Sequence, residues 1–450
     1  MDRRKFLKSS CLTTTALLGL KAYSREVSAS TMALIKSSNM SSLTSLSWNG
    51  ELRSDPDNII NLPIFTDNSS GLLYRVVSVA GSIMSDGLVN PNRCDGMAAF
   101  SLPSGNYALI KNHETSGYDS SLDIDRSYRS PQDKGAYDGG TTTLELTPSL
   151  DVIREHRSLS GTIVNCAGGA TPWGTWISCE ETYNAHHGYA FEVDPKDTTL
   201  KAPRRLTPMG RFKREAIAID TSTKIVYQTE DSFSGCFYRF IPDQPSLNDL
   251  TLSGKQQALK IPNILDTTNS NGFIKVGDDF AVEWVDINDP SASITSQKDQ
   301  AKSLGATIFC RGEGICMGED SIFFVSTTGG PGRLGQIWEY KPSVNKIKLF
   351  FQSNNKNQFW RGDNIIASPW GDLIVAEDNN SGACKLVGIK PNGQTYTLAS
   401  VSASSSELAG ICFSPDGKVM FFNIQTEGLT IAVISETGTW EEIENLTHHS

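Results

Sequence analysis

Short runs in which apolar and polar residues alternate, or in which β-branched and aromatic residues cluster, recur along most of the chain. They are broken by Gly, Pro, Asn and Asp, and a 3.6-residue apolar period is rare, so the pattern is one of strands and turns. Six stretches share one order of parts. They are "DGMAAFSLPSGNYALIKNHE" (95–114), "NCAGGATPWGTWISCEE" (165–181), "EAIAIDTSTKIVYQTED" (215–231), "EGICMGEDSIFFVSTTGG" (313–330), "DNIIASPWGDLIVAED" (363–378) and "ELAGICFSPDGKVMFFNIQ" (407–425). Each opens on a polar, usually acidic residue. A small-residue strand, a turn such as "TSTK" or "SPDGK", and a stronger strand follow. A further strand comes after a loop: "TTTLELTPS", "YAFEVDP", "CFYRFIPD", "QIWEYKPS", "KLVGIKPNG" or "LTIAVIS". Three to four strands per unit, six times over, predict an all-β fold, a six-bladed β-propeller with inserted loops. The longest insertion lies between Cys236 and Glu313.

A hairpin brings the start of its first strand beside the end of its second. In a propeller the first strand lines the central channel, so both positions meet at the channel mouth. The repeats therefore predict an inner ring of Asp95, Cys166, Glu215, Glu313, Asp363 and Glu407. An outer ring of Glu114, Glu180, Glu181, Glu230, Asp231, Glu377 and Asp378 surrounds it. Taken singly, each acid is an ordinary strand-end residue. Recurring at equivalent points, they need compensation, because like charges a few ångströms apart cannot all stay ionised. Multivalent cations supply it, with carboxylates suiting hard ions and the single thiolate favouring a transition metal.

Length, charge and termini sharpen this picture. The chain has 450 residues and a formal net charge of -10, which argues against a nucleic-acid partner held by a broad basic face. Its start, "MDRRKFLKSSCLTTTALLGLKAYS", carries Arg3 and Arg4 before a short, threonine-rich apolar run. This is the twin-arginine export pattern, so residues 1–29 are expected to be a signal peptide and 30–450 one propeller domain. The run is too short to span a bilayer, and no later segment is apolar enough. A periplasmic or secreted monomer with no stable membrane anchor is expected, with the twin-arginine translocation machinery as a transient partner. After Cys11, eight cysteines remain and none forms a CxxC pair, which argues against a structural zinc site. Several lie in apolar runs and read as small buried hydrophobes. Of the six histidines, His186-His187 and His448-His449 read as surface.

"NCAGGATPWGTWISCEET" (165–182) strongly resembles the signature of the PhoX-type alkaline phosphatases. So do "DGMAAF", "KNHET", "YDGGTTTL", "GRFKREAIAID", "YQTEDS", "RGEG", "VAEDN" and "FSPDGKVMFFNIQ", in order, from about Asp95 to Gln425. The resemblance implies a phosphomonoesterase with an iron(III) and calcium cluster, acting on small phosphoesters. It implies Cys166 as an iron ligand and Glu215 and Glu313 as further ligands. Glu181, Asp231, Glu377, Asp378 and Glu407 match positions that hold calcium. Arg311, in "RGEG", matches the arginine that binds substrate phosphate, and Asn165 is expected at the substrate beside it. Arg311, Cys166 and Glu313 thus form the expected catalytic set. Arg214 stands where many relatives have histidine, and the fourth repeat ends "STTGG" without an acid.

No serine nucleophile of the G-x-S-x-G type and no Walker loop is present, so the metals are expected to act as Lewis acids and to provide the nucleophile. Two other classes fit a propeller: a calcium-dependent lactonase-like hydrolase using one ion and no cysteine, and a non-catalytic metal-binding propeller. A metal count separates the three.

Overall fold

The computed structural model describes residues 48–53, 60–65, 72–269, 271–379, 383–401, 406–435 and 440. The proposed signal and His448-His449 lie outside them. The described chain forms six antiparallel sheets, each a blade of the propeller. In chain order the innermost strands are Cys94–Ser101, Asn165–Ala170, Arg214–Ile219, Gly312–Met317, Gly362–Ala367 and Leu408–Phe413. All six third strands read from the sequence are present, from Tyr137–Leu146 in blade one to Leu429–Ser435 in blade six.

Ring closure comes from a strand that precedes the first repeat. Leu72–Val79 pairs antiparallel with Leu429–Ser435 and becomes the outer strand of blade six. The N-terminal and C-terminal parts of the chain are thereby locked into one sheet, whose strand edge would otherwise be open. A hairpin of Trp48–Arg53 and Ile60–Phe65 extends blade five at its outer edge. The long insertion stitches two neighbours together. Its strand Glu283–Asp286 extends blade three, while Asp279–Ala281 adds to blade four. It also carries the one α-helix among the described residues, Gln297–Ser303.

Each blade interface has its own apolar cluster, and both faces of every sheet are therefore buried. The strand Trp176–Glu180 shows how: Trp176 packs toward blade one with Ala98 and Phe100, whereas Ile177 and Cys179 pack toward blade three with Ile217 and Phe240. Between blades three and four, Tyr227, Phe237 and Leu259 meet Phe324, Trp338 and Tyr340. This two-sided burial accounts for the cysteines. All eight are free and buried, and Cys179, Cys236, Cys316, Cys384 and Cys412 sit inside such clusters as small apolar residues. Near the channel the blades converge. A Cβ on Gly169 would stand 2.3 Å from the Ile217 carbonyl oxygen, and one on Gly96 2.5 Å from the Ala167 Cα. Glycine is what lets the innermost strands approach so closely.

Candidate metal centre

One construction, used six times, builds the mouth. In every blade the residue after the second strand donates its amide to the carbonyl of the residue before the first strand. The pairs are Glu114 to Arg93 (2.9 Å), Glu181 to Val164 (2.8 Å), Asp231 to Lys213 (3.2 Å), Thr327 to Arg311 (3.0 Å), Asp378 to Arg361 (2.9 Å) and Gln425 to Glu407 (3.1 Å). In each blade a register shift follows within the first strand. Such a bulge bends the strand and re-aims its side chains. The second residue of each first strand is Asp95, Cys166, Glu215, Glu313, Asp363 and Ala409.

Two groups of these side chains bring their ligand atoms within 4.8 Å of one another: Glu114, Cys166 and Glu181, and then Glu215, Glu313 and Asp363. Asp95 and Glu215 are fully buried. Both oxygens of Glu215, and one of Asp363, lack any hydrogen-bond partner. Burial, reinforced by the neighbouring carboxylates, pushes Asp95, Glu215, Glu313, Asp363 and Glu407 well above the ordinary carboxyl range. Burial and the adjacent acids Asp95 and Glu215 likewise push the Cys166 thiol up. Unpartnered buried carboxylates of this kind are costly unless a cation satisfies them. The donor set, carboxylate oxygens and one sulfur, fits multivalent metal ions.

Cations of the protein occupy the ring position just before the first strand. Arg311 donates from Nε to Asp231 (2.8 Å) and from Nη2 to Asp231 (3.1 Å), and Nη2 also meets Glu313 at 2.8 Å. Lys213 bridges Glu181 (2.6 Å) and Asp231 (2.7 Å). Arg93 donates through Nε to the Glu114 carbonyl (3.0 Å) and pairs with the Glu114 carboxylate. Arg361 is the fourth, and its charge acts on Asp378. Burial pushes Asp231 up, but the hydrogen bonds and charge of Arg311, with Lys213, outweigh this and hold it at about 2. Nine carboxylates (Asp95, Glu114, Glu181, Glu215, Asp231, Glu313, Asp363, Asp378 and Glu407) face four cations, which leaves five negative charges and a thiol for bound ions to balance. Of these four cations, only Arg311 lies in a motif that points to the site. The signal was present as a basic residue two before the acid: Arg93 and Asp95, Lys213 and Glu215, Arg311 and Glu313, Arg361 and Asp363.

Several expected residues sit elsewhere. Asn165 is fully buried, donates to Ser178 Oγ (2.8 Å) and accepts from Thr162 (2.7 Å), so its amide is committed inside blade two. Glu377 ends its strand and turns from the mouth to accept from the amides of Trp360 (2.9 Å) and Lys385 (3.2 Å). Glu180 and Glu230 do the same, with Glu180 taking the amides of Ile163, Gly188 and Tyr189 and Glu230 the hydroxyls of Tyr183 and Tyr238. The last residue of a second strand points away from the channel and the next one toward it, since side chains alternate. Glu407 reaches the site from the cation position, its carboxylate 3.2 Å from Gln425 Nε2, and Ala409 fills the sixth ring position. His187 is buried against Glu180 (2.6 Å) and Asp133 (3.2 Å), a correction to its surface reading. Arg214 is buried as well, donating from Nη2 to the carbonyls of Met209 and Gly210 (both 2.9 Å).

These features define a class: a six-bladed propeller with an acid- and thiol-lined candidate cation site at the channel mouth, flanked by arginines and a lysine. The profile of alkaline phosphatase PhoX matches residues 48–428, and the chain belongs to that family. It is a phosphoester hydrolase of the alkaline phosphatase type. Pseudomonas fluorescens PhoX in complex with vanadate, a transition state analogue, shares the fold, with a TM-score of 0.64 and 18% identity over 88% of this chain and 99% of that one. A gluconolactonase from Xanthomonas campestris superposes with a TM-score of 0.41 and 9% identity, over 81% and 89%. No curated protein matches the chain.

Proposed function

We propose that the protein is an exported alkaline phosphomonoesterase that binds iron(III) and calcium at the mouth and releases phosphate from small phosphoesters. The observation that carries this is Glu215, buried with both oxygens unpartnered among acids that outnumber the local cations. Cys166 with Glu114 and Glu181 would hold one part of the cluster, iron at the sulfur. Glu215, Glu313 and Asp363 would hold the other. Asp95, Asp231, Asp378 and Glu407 are the further candidates for calcium. When bound, such ions polarise the phosphoryl oxygens and provide the nucleophile.

Arg311 is the substrate-binding side chain. It keeps a quarter of its surface exposed while Asp231 and Glu313 fix its plane from behind. A guanidinium held this way presents two donors to the non-bridging oxygens of a phosphoryl group. Burial lowers its pKa, but Glu313 and Asp231 outweigh this and raise it, so it stays charged throughout catalysis. No helix among the described residues is long and apolar enough to cross a membrane.

Elemental analysis of purified protein, paired with p-nitrophenyl phosphate turnover, tests the reading. Iron together with several calcium ions and metal-dependent phosphate release is the expected result. A single calcium without iron, or full metal occupancy without turnover, would overturn it.

A further inference from the structure

Two exposed aromatic rings stand at the same step of successive blades, just beyond the mouth. In blades two and three the acid that faces the channel, Glu181 or Asp231, is followed two residues later by Tyr183 or Phe233. Tyr183 is 43% exposed and Phe233 65%. One exposed apolar side chain is ordinary on any surface, but a repeated pair beside a substrate site is a face with a use.

The backbone under Phe233 is fixed. The Ser232 amide donates to the Glu230 carbonyl (2.9 Å), and the Ser232 carbonyl accepts from the amides of Gly235 (2.9 Å) and Arg311 (2.8 Å). The ring is thus held out on a tight turn that is itself tied to Arg311. On its other side, the Arg311 carbonyl accepts from the Thr327 amide (3.0 Å), where the next loop leaves the mouth. That loop carries Arg333, whose guanidinium carbon lies 5.9 Å from the centre of the Phe233 ring. Phe233 and Arg333 therefore meet from the two loops that pin Arg311, which sets the ring on the rim beside that arginine. Tyr183 is fixed from blade two. Its hydroxyl donates to Glu230 (2.9 Å), and Lys298 Nζ stands 4.6 Å from its ring centre and 2.9 Å from Ser232 Oγ.

The chemistry of the rim selects what lies on it. Asp231 and Glu313 hold Arg311 from the channel side, so the alcohol of a phosphoester bound there has to extend outward past the rim. An aliphatic alcohol gains no hydrogen bond from a phenyl face. A flat aromatic group gains offset stacking on Phe233 and a cation contact from Arg333. A protein or lipid partner needs a contiguous apolar patch, whereas here each ring is bounded by a cation.

We propose that Phe233 is a specificity-determining residue: an aromatic group in the leaving alcohol stacks on its ring while the phosphoryl group lies on Arg311. This rests on the phosphatase reading and names the class of phosphoester within it. The aromatic group is the ring that bears the ester oxygen, as in an aryl phosphate, or a base one sugar away, as in a nucleoside 5′-phosphate.

The test uses the full, metal-loaded protein with Phe233→Leu, which keeps apolar bulk and removes the ring, and Phe233→Tyr, which keeps the ring. The side chain is too exposed to support the core, so both variants should fold. KM and kcat are measured for p-nitrophenyl phosphate, adenosine 5′-monophosphate and glycerol 2-phosphate, which has no ring. In Phe233→Leu, KM should rise about five- to tenfold for one or both aromatic esters, the lower end of what stacking a base on an aromatic side chain contributes. Their kcat, and KM for glycerol 2-phosphate, should stay within twofold of wild type, and Phe233→Tyr should restore KM. A rise confined to p-nitrophenyl phosphate assigns the face to aryl esters, and one confined to adenosine monophosphate assigns it to nucleobases. A rise for glycerol 2-phosphate as large as for the aromatic esters, or no rise for any, would overturn the proposal. If wild type hydrolyses none of the three, the phosphatase reading fails instead, and saturation-transfer NMR with adenosine and p-nitrophenol decides. Ring-proton signals seen with wild type and lost in Phe233→Leu sustain the stacking face; signals absent from wild type, or equal in both proteins, refute it.

Discussion

Removing the cations from the mouth should make stability fall as pH rises. In the metal-free protein Asp95, Glu215, Glu313, Asp363 and Glu407 all have carboxyls raised by burial and by one another. For a raised group, the stability it contributes is fully present below the unfolded value and is lost as pH climbs through the folded value. Glu181 gives the scale. Burial and Asp231 push it from 4.5 to about 8, while its neighbour Asp231 is held at about 2 from 3.8 by contacts that outweigh its own burial. Asp231 is ionised in both the folded and the unfolded state above about pH 4.5, so its depression changes nothing in the window that matters, and the rise of Glu181 acts there alone. That rise is equivalent to about 5 kcal/mol, lost between about pH 4.5 and pH 9. For a chain of this length that lowers Tm by about 6 °C, and the five other acids add in the same direction. Bound cations reverse the sign by holding the carboxylates ionised. The assay is differential scanning calorimetry at pH 5 and pH 9, before and after combined removal of iron and calcium. Chelated protein with an equal or higher Tm at pH 9 would refute the assignment of these acids to one uncompensated site.

Three further outcomes follow from particular residues. Arg311→Lys should keep its metals yet lose about 2–4 kcal/mol in kcat/KM for p-nitrophenyl phosphate, because lysine cannot reproduce the two-donor fork that Asp231 and Glu313 align; unchanged turnover in metal-replete protein would remove it from the reaction. Cys166→Ser should lose the bound iron and most activity, whereas Cys179→Ser, inside the cluster of Ile177 and Phe240, should keep iron and lose about 1–3 kcal/mol of stability on denaturant titration; matching iron losses would refute the distinction. Gly169→Ala should cost about 3 kcal/mol, since its Cβ would press on the Ile217 carbonyl oxygen at 2.3 Å; a melting curve like wild type would show that the innermost strands yield more easily than their packing implies.

The repeat was written in the chain. Period-two patterning, turn residues and the polar, usually acidic residue at the head of each unit are local, and they carried the six blades, the third strands and most of the mouth. The Arg-x-Asp and Lys-x-Glu openings were equally local and held the cation ring beyond Arg311. Other features were decided by long-range packing. Nothing in "LLYRVVSV" says that Leu72–Val79 completes blade six, because its partner Leu429–Ser435 lies at the far end of the sequence. In "CEE", "TED" and "AED" two adjacent acids look alike. The pleat sends Glu180, Glu230 and Glu377 outward to loop amides and tyrosines, and Glu181, Asp231 and Asp378 inward. A one-residue difference in register exchanges the two faces, and only pairing across the hairpin fixes it. Asn165 shows the same limit, one position from Cys166 and wholly enclosed. A cavity lined by Asn90, Thr115, Asp138 and Arg157 has no motif at all. It exists because the last blade in chain order meets the first, which sets Glu427 opposite Asn92 and Thr115.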